Sequence, residues 1–142
     1  MIVEFVKFDI YARDLAAGIH AGALNADGNT LAIFLTNDPV DRALHAVKAD
    51  LTEIGIGNGY DGPIDTQNAS SRVDGVIYVA GTDILLIGTG PGSFGPFQYA
   101  VLYNQTPMSE PLIGYWNYGT PISVSMGEQF AINFGSAMLM VG

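Results

Sequence analysis

The chain has 142 residues, enough for one domain with a sizeable core, and 49% of them are hydrophobic while only 13% are charged. Fourteen acidic residues against five scattered basic ones give a formal net charge of −9, which argues against nucleic acid or an anionic membrane as a partner. The absence of cysteine excludes disulfides, zinc–thiolate sites and thiol catalysis, and fits synthesis in a reducing cytoplasm.

The N-terminal part of the chain predicts short, mixed elements. Residues 1–8 lack the basic start and long apolar run of a signal peptide, and their alternation predicts an extended arm or an edge strand. A short helix is predicted over 10–17, with Asp9 as its cap. The run "NTLAIFLTN" predicts a strand that is apolar on both faces, and the following segment, 37–49, fits a short helix and an irregular segment equally well.

The second half of the chain predicts one strand after another, because apolar runs alternate with glycine- and proline-rich turns. The predicted strands are 72–80, 83–87, 97–104, 112–116, 122–125, 129–134 and 137–141. Short strands at this spacing are typical of an antiparallel sandwich. We therefore predict an all-β fold: a single jelly-roll-like β-sandwich domain over 1–142, with one or two short helices in its N-terminal half.

The stretch "GPGSFG", Gly90 to Gly95, fits the letters of the dinucleotide-binding pattern G-x-G-x-x-G. That pattern binds a pyrophosphate only when its glycines open a helix. The residues that follow, "PFQYAVLYNQ", alternate with a period of two, which predicts a strand. The sequence therefore favours a glycine-rich bend between two strands, and no cofactor is expected.

Other candidate sites are weak. Ser93 lacks the flanking glycine of a nucleophile elbow, and His20 and His45 stand in no metal-binding or catalytic pattern. Asp61, Asp65 and Asn68 have spacings that faintly suggest calcium but lack the terminal glutamate of a calcium-binding loop, so solvated turn residues are the better interpretation. No catalytic residue and no metal site is predicted, although a carboxylate pair brought together by the fold stays open.

Aromatic residues are enriched in the C-terminal half, most densely in "PLIGYWNYG". Rings on neighbouring strands usually pack against one another in a core. The alternative interpretation is that Tyr115, Trp116 or Tyr118 contributes to a surface that binds another protein or a sugar.

Several phrases carry a resemblance that runs nearly end to end. They are "FVKFDIYARDLAAGIH", "TLAIFLTN", "ADLTEIGIGNGY", "GPFQYAVLYNQT", "PLIGYWNYG" and "GEQFAINF". In these phrases the chain resembles small structural proteins of tailed bacteriophages, of the head decoration (cement) type. The segment "DRALHAVK" departs from this pattern because its spacing is more helical than the resemblance leads one to expect.

The resemblance implies a jelly-roll-like sandwich that is made in the host cytoplasm and binds the outside of the major capsid protein shell, often as a trimer. It brings no catalytic residue with it. With the alternating arm and the aromatic phrase, it makes one set of residues the candidate interface: Ile2, Val3, Phe5, Val6, Phe8, Tyr115, Trp116 and Tyr118. A tail or head–tail connector component, or a carbohydrate-binding jelly-roll module, are the alternatives that the sequence leaves open.

Overall fold

The computed structural model describes residues 3–20, 29–135 and 137–141. Within them, one α-helix, α1, spans Asp9–Ala16 and one turn of 3₁₀-helix spans Lys48–Asp50. The strands are, in chain order, β1 (Phe5–Lys7), β2 (Leu31–Thr36), β3 (Ile64–Asp65), β4 (Ala69–Val73), β5 (Val76–Ala80), β6 (Ile84–Ile87), β7 (Phe94–Asn104), β8 (Leu112–Val124), β9 (Gln129–Ile132) and β10 (Leu139–Val141).

The central layer is a five-stranded sheet with the order β1-β8-β7-β2-β3, in which every neighbouring pair is antiparallel. One row across it runs from Phe5 through Trp116 and Ala100 to Leu35. The next row, on the opposite face, begins with Val6 and Tyr115. Because successive side chains of a strand point to opposite faces, this register decides which core each residue enters.

The second layer consists of a three-stranded sheet, β10-β5-β4, and a two-stranded sheet, β6-β9. Strand β5 pairs with β10, where Val79 lies opposite Leu139, and β6 pairs with β9, where Ile84 lies opposite Ile132. These two antiparallel pairs follow each other along the same two chain segments and form one ribbon with an interruption between them. At the interruption the Phe134 N–H donates to the Asp83 carboxylate at 2.9 Å. The inward side chains of this ribbon pack on the central sheet in one large core.

The other face of the central sheet is also covered. Phe34, Tyr103 and Tyr115 lie in a second core, which Phe8 and Leu51 close from outside the sheet. Val40, from the segment predicted as a short helix or an irregular segment (37–49), also packs against this core, and the segment is largely irregular. All six residues of β2 are buried, and burial on both faces explains why all of them except Thr36 are apolar.

The structure confirms the predicted all-β, antiparallel class with one short helix, while jelly-roll connectivity stays a prediction. Three details differ from the sequence-based expectation. Phe8 stands at the N-cap of α1 without a side-chain cap, so Asp9 is the first helical residue and not the cap. The predicted strand 72–80 is a hairpin that turns at Asp74 and Gly75, both with positive φ, as a tight hairpin turn requires.

The third difference concerns the predicted strands 112–116 and 122–125, which are two parts of the single strand β8. Tyr99 pairs with Asn117 and Phe97 pairs with Ile122, so β8 bulges between these points where a turn was expected. Pro121 is tolerated inside the strand because it lies in this irregular stretch.

Candidate functional site

The glycine-rich stretch at Gly90 to Gly95 leads directly into a strand, as predicted, because β7 begins at Phe94. The space beside Gly90 is filled by the Asn58 side chain, and a Cβ on Gly90 would overlap its amide. Asn58 also accepts the Thr89 N–H at its carbonyl oxygen and donates its side-chain amide to the Ser93 carbonyl at 3.1 Å. The absence of a side chain at Gly90 and Gly92 therefore leaves room for the loop that carries Asn58.

The polar residues considered as catalytic or metal-binding candidates are engaged in local structure. The His45 ring accepts the Asp41 N–H, Asp65 accepts the Gln67 N–H, and Asn68 accepts the Leu31 N–H. Within residues 3–20, 29–135 and 137–141, no three histidine or carboxylate side chains are grouped so that they could hold a metal ion. The structure thus gives each of these residues a role in a turn or at a strand end.

The N-terminal members of the candidate interface belong to the fold. Ile2 lies outside the described residues, while Val3, Phe5 and Val6 are half-buried and Phe8 is only 2% exposed. Residues 5–7 form β1, the edge strand that pairs with β8. Of the two expectations for 1–8, the edge strand applies to this part, and Phe8 in particular has no free surface with which to contact a partner.

The aromatic members of the candidate interface are also directed inward. Tyr115 and Trp116 are buried, and the Trp116 ring centroid lies 4.7 Å from that of Phe5. Tyr118 is half-buried against Phe130 in an edge-to-face contact at 5.1 Å, and its burial raises the pKa of the Tyr118 hydroxyl to about 12. These rings take part in cross-strand core packing.

A partly buried polar network covers the edge of β2 beyond the end of β3. The Tyr60 hydroxyl donates to Glu53 at 2.5 Å and accepts the Leu35 N–H at 3.2 Å. Lys48 pairs with the other Glu53 oxygen at 3.0 Å and lies over the Phe34 ring. Burial, together with the hydrogen bond to Glu53, raises the pKa of Tyr60 strongly. The network gives the Leu35 N–H, at the edge of β2, a hydrogen-bond partner that it would otherwise lack.

A second buried polar group lies where α1 meets the end of β7. His20 is 1% exposed, and the Asn104 side-chain amide nitrogen lies 3.2 Å from its Nδ1. Burial lowers the pKa of His20, while the buried Asp14 carboxylate acts in the opposite direction. Nε2 of His20 has no hydrogen-bond partner among the described residues. The contacts are those of a structural histidine held in its neutral form.

The second layer exposes an apolar sheet surface that points away from both cores. We call this surface the outer face; its main members are Val73, Tyr78, Leu85, Ile87 and Met140. Leu85 is 55% and Met140 59% exposed, whereas their strand neighbours Ile84, Leu86 and Leu139 pack inward. Arg72 is the only charged residue in the five strands of this layer; it is exposed, pairs with Ile77 and lies on the side of β4 opposite to Val73. The strand residues of the outer face are therefore uncharged, while the exposed Asp83 lies between β5 and β6.

The sequence contained a signal for this surface, but its meaning was ambiguous. The runs "VIYVA" and "ILLI" are apolar at successive positions, as is "LAIFLT" in β2. Such runs indicate that both faces of a strand avoid water. Other parts of the chain pack against both faces of β2. For β5 and β6, other described parts of the chain pack only against the inward face. Only the packing distinguishes the two cases.

No family model, curated protein or solved structure matches this chain. No helix in the described part of the chain is long and apolar enough to cross a membrane.

Proposed function

We propose that this protein is a structural component of a tailed-bacteriophage virion, a decoration or cement protein that binds the outside of the major capsid protein shell and stabilises it. It is made in the host cytoplasm, associates as a trimer and works by binding alone, without a cofactor or a catalytic residue. The proposal rests on the sequence resemblance for the class of protein and on the outer face for the mode of action.

The phrases that carry the resemblance lie mainly in the elements that build the central sheet. "GPFQYAVLYNQT" covers most of β7, and "PLIGYWNYG" covers the first part of β8. These strands pair with each other over most of their length and supply both cores. The resemblance is therefore concentrated in the strands that build the scaffold, which suits a protein that coats a shell.

The observation that carries the proposal is the exposed, charge-free outer face on a chain with a net charge of −9. Exposed apolar patches on a protein surface mark sites of interaction with another macromolecule. Burial of such a surface stabilises a complex by roughly 25 cal/mol per Å² of apolar area. By contrast, of the rings that the sequence offers for sugar binding, Tyr115 and Trp116 are buried and Tyr118 is half-buried.

The test is to titrate the purified protein onto capsids assembled without it and to measure binding by co-sedimentation at about 0.05 M and about 0.5 M NaCl. We expect saturable binding that does not weaken at the higher salt, because the contact surface has no charges to screen. Light scattering of the free protein should give the mass of a trimer.

Three outcomes would contradict the proposal. Absence of binding to capsids, with binding to isolated tails or connectors instead, would move the protein to the tail or head–tail class. Binding to a polysaccharide alone would make it a carbohydrate-binding module. A complex that dissociates at the higher salt would show that charge attraction holds it, which the outer face cannot supply.

A further inference from the structure

We infer that Asn58 is a site of spontaneous deamidation that the native fold keeps closed, and that loss of its side-chain amide weakens the contact between the turn 57–60 and the glycine-rich bend before β7, residues 88–93. Asn58-Gly59 is the only Asn-Gly pair of the chain. Because glycine has no side chain to hinder its own backbone nitrogen, that nitrogen attacks a preceding asparagine side chain more readily than the nitrogen of any other residue.

The reaction needs only water and the chain itself. The backbone nitrogen of Gly59 attacks Cγ of Asn58, a new C–N bond forms, and the side-chain nitrogen leaves as ammonia together with the proton of the Gly59 N–H. Water then opens the five-membered succinimide ring at either of its carbonyl carbons, which gives aspartate or isoaspartate at position 58. No oxidant or reductant takes part, and a carboxylate replaces the amide.

The first argument is that the backbone at Asn58 is fixed. Gly57 and Tyr60 exchange both backbone hydrogen bonds, at 2.7 and 3.2 Å, and so close a two-residue turn around Asn58 and Gly59. Both central residues have a positive φ, 58° and 116°, which is the geometry that Asn-Gly favours in a tight turn. Bringing Cγ onto the Gly59 nitrogen requires rotation about the bond between Cα and the carbonyl carbon of Asn58, and the closed turn opposes that rotation.

The second argument is that the bend holds the side chain. The half-buried Asn58 donates its amide to the Ser93 carbonyl oxygen at 3.1 Å and accepts the Thr89 N–H at its own carbonyl oxygen at 3.0 Å. A Cβ at Gly90 would overlap the Asn58 amide, and a Cβ at Gly92 would lie 3.2 Å from its nitrogen. The amide therefore has to leave the bend before its carbon can be attacked.

The third argument concerns the product. A carboxylate only accepts hydrogen bonds, and the group that faces it at this position, the Ser93 carbonyl oxygen, also only accepts. The modified residue thus loses its hydrogen bond to the bend and directs a negative charge at an oxygen atom. Deamidation should therefore loosen the bend from the turn 57–60.

The first experiment measures deamidation at Asn58 by mass spectrometry of peptides from protein incubated at neutral pH, either native or unfolded in urea. The native chain should react at least about tenfold more slowly, because attack has to wait for a local opening. Gly90→Ala, whose methyl group displaces the Asn58 amide, should react faster than the wild type. Gly55→Ala is the matched control, with open space around its Cβ, and should react at the wild-type rate.

The second experiment examines the product through Asn58→Asp, which should unfold at a lower urea concentration than the wild type. Asn117→Asp is the matched control. The Asn117 side-chain oxygen accepts the Gly119 N–H and the Gln98 side-chain amide, at 2.8 and 3.0 Å, and a carboxylate can accept both. This control should unfold at nearly the wild-type urea concentration.

Circular dichroism checks that each variant folds, and the comparison of native and unfolded wild-type protein tests the site without any variant. A native protein that deamidates at Asn58 as fast as the unfolded chain would show that the fold does not close the site. A folded Gly90→Ala that reacts no faster than the wild type, or an Asn58→Asp that unfolds at the same urea concentration, would show that the bend does not hold the amide.

Discussion

The ring of Phe5 lies over Gly114 of the neighbouring strand. Phe5 pairs with Trp116, two residues further along β8, and its ring extends diagonally into the space that a side chain at position 114 would occupy. A Cβ built on Gly114 would overlap this ring and would lie 2.8 Å from the Val6 carbonyl oxygen. The glycine thus lets an aromatic residue of the edge strand cover the sheet.

The first prediction is that Gly114→Ala lowers the free energy of unfolding by about 1–3 kcal/mol, because overpacking forces the Phe5 ring or the β1 backbone to move. The loss should be smaller when Phe5 is already alanine, although the Val6 carbonyl still opposes the new methyl group. Urea unfolding of the two single variants and the double variant measures this coupling.

Gly55→Ala is the matched control, because a Cβ at Gly55 meets nothing within 4 Å. Its free energy of unfolding should stay within about 0.5 kcal/mol of the wild type. Equal losses for Gly114→Ala with and without the Phe5 ring would show that the ring does not require the glycine.

The second prediction concerns the network at the edge of β2. Tyr60→Phe removes the hydroxyl that donates to Glu53 and accepts the Leu35 N–H, and it leaves that N–H buried without its partner. We expect a loss of about 1–3 kcal/mol in the free energy of unfolding, the usual result of an unsatisfied buried polar group. Denaturant unfolding at neutral pH measures the loss.

Tyr78→Phe makes the same chemical change on the half-buried outer face and serves as the control. It should leave stability nearly unchanged. If both variants were equally stable, the Tyr60 hydroxyl would have no net effect on the closure of the strand edge.

The third prediction concerns pH. An amide nitrogen can only donate a hydrogen bond, so the contact from Asn104 requires Nδ1 of His20 to be unprotonated. Burial lowers the pKa of His20 in the folded state below its unfolded value of about 6.5. The unfolded chain therefore binds a proton more readily, and the stability contributed by neutral His20 is complete above the unfolded pKa and is lost as the pH falls below it towards the folded pKa.

The measurement is the free energy of unfolding between about pH 7.5 and about pH 5.5, a range that lies above the ordinary carboxylate pKa values. His20→Gln should be less stable than the wild type at the upper end and should show a flatter decline towards the lower end. His45→Gln, which removes the other histidine of the chain, is the control and should decline as the wild type does. An unchanged decline in His20→Gln would show that another group causes it.

Much of the fold follows from local sequence patterns. The run "LAIFLT" is apolar on both faces because β2 is buried on both, and the alternation after "GPGSFG" predicts β7 correctly. Asp74-Gly75 is also a hairpin signal, although it lies within a run of β-forming residues that predicts one continuous strand. Turns, periodicity and strand class depend on residues near one another in the chain, so the sequence itself determines them.

Local patterns do not determine what packs against each apolar face of a strand. The alternation of the arm and the density of rings in "PLIGYWNYG" were compatible with a binding surface, yet Phe8, Tyr115 and Trp116 pack inside the chain. Conversely, Leu85 and Met140 lie in apolar strand runs and are exposed. A strand pattern specifies that a face avoids water but not what covers it. The sequence by itself determined the class of fold and its apolar strands, whereas only the tertiary structure decided which apolar face was left without a covering layer, because that depends on contacts between residues far apart in the chain.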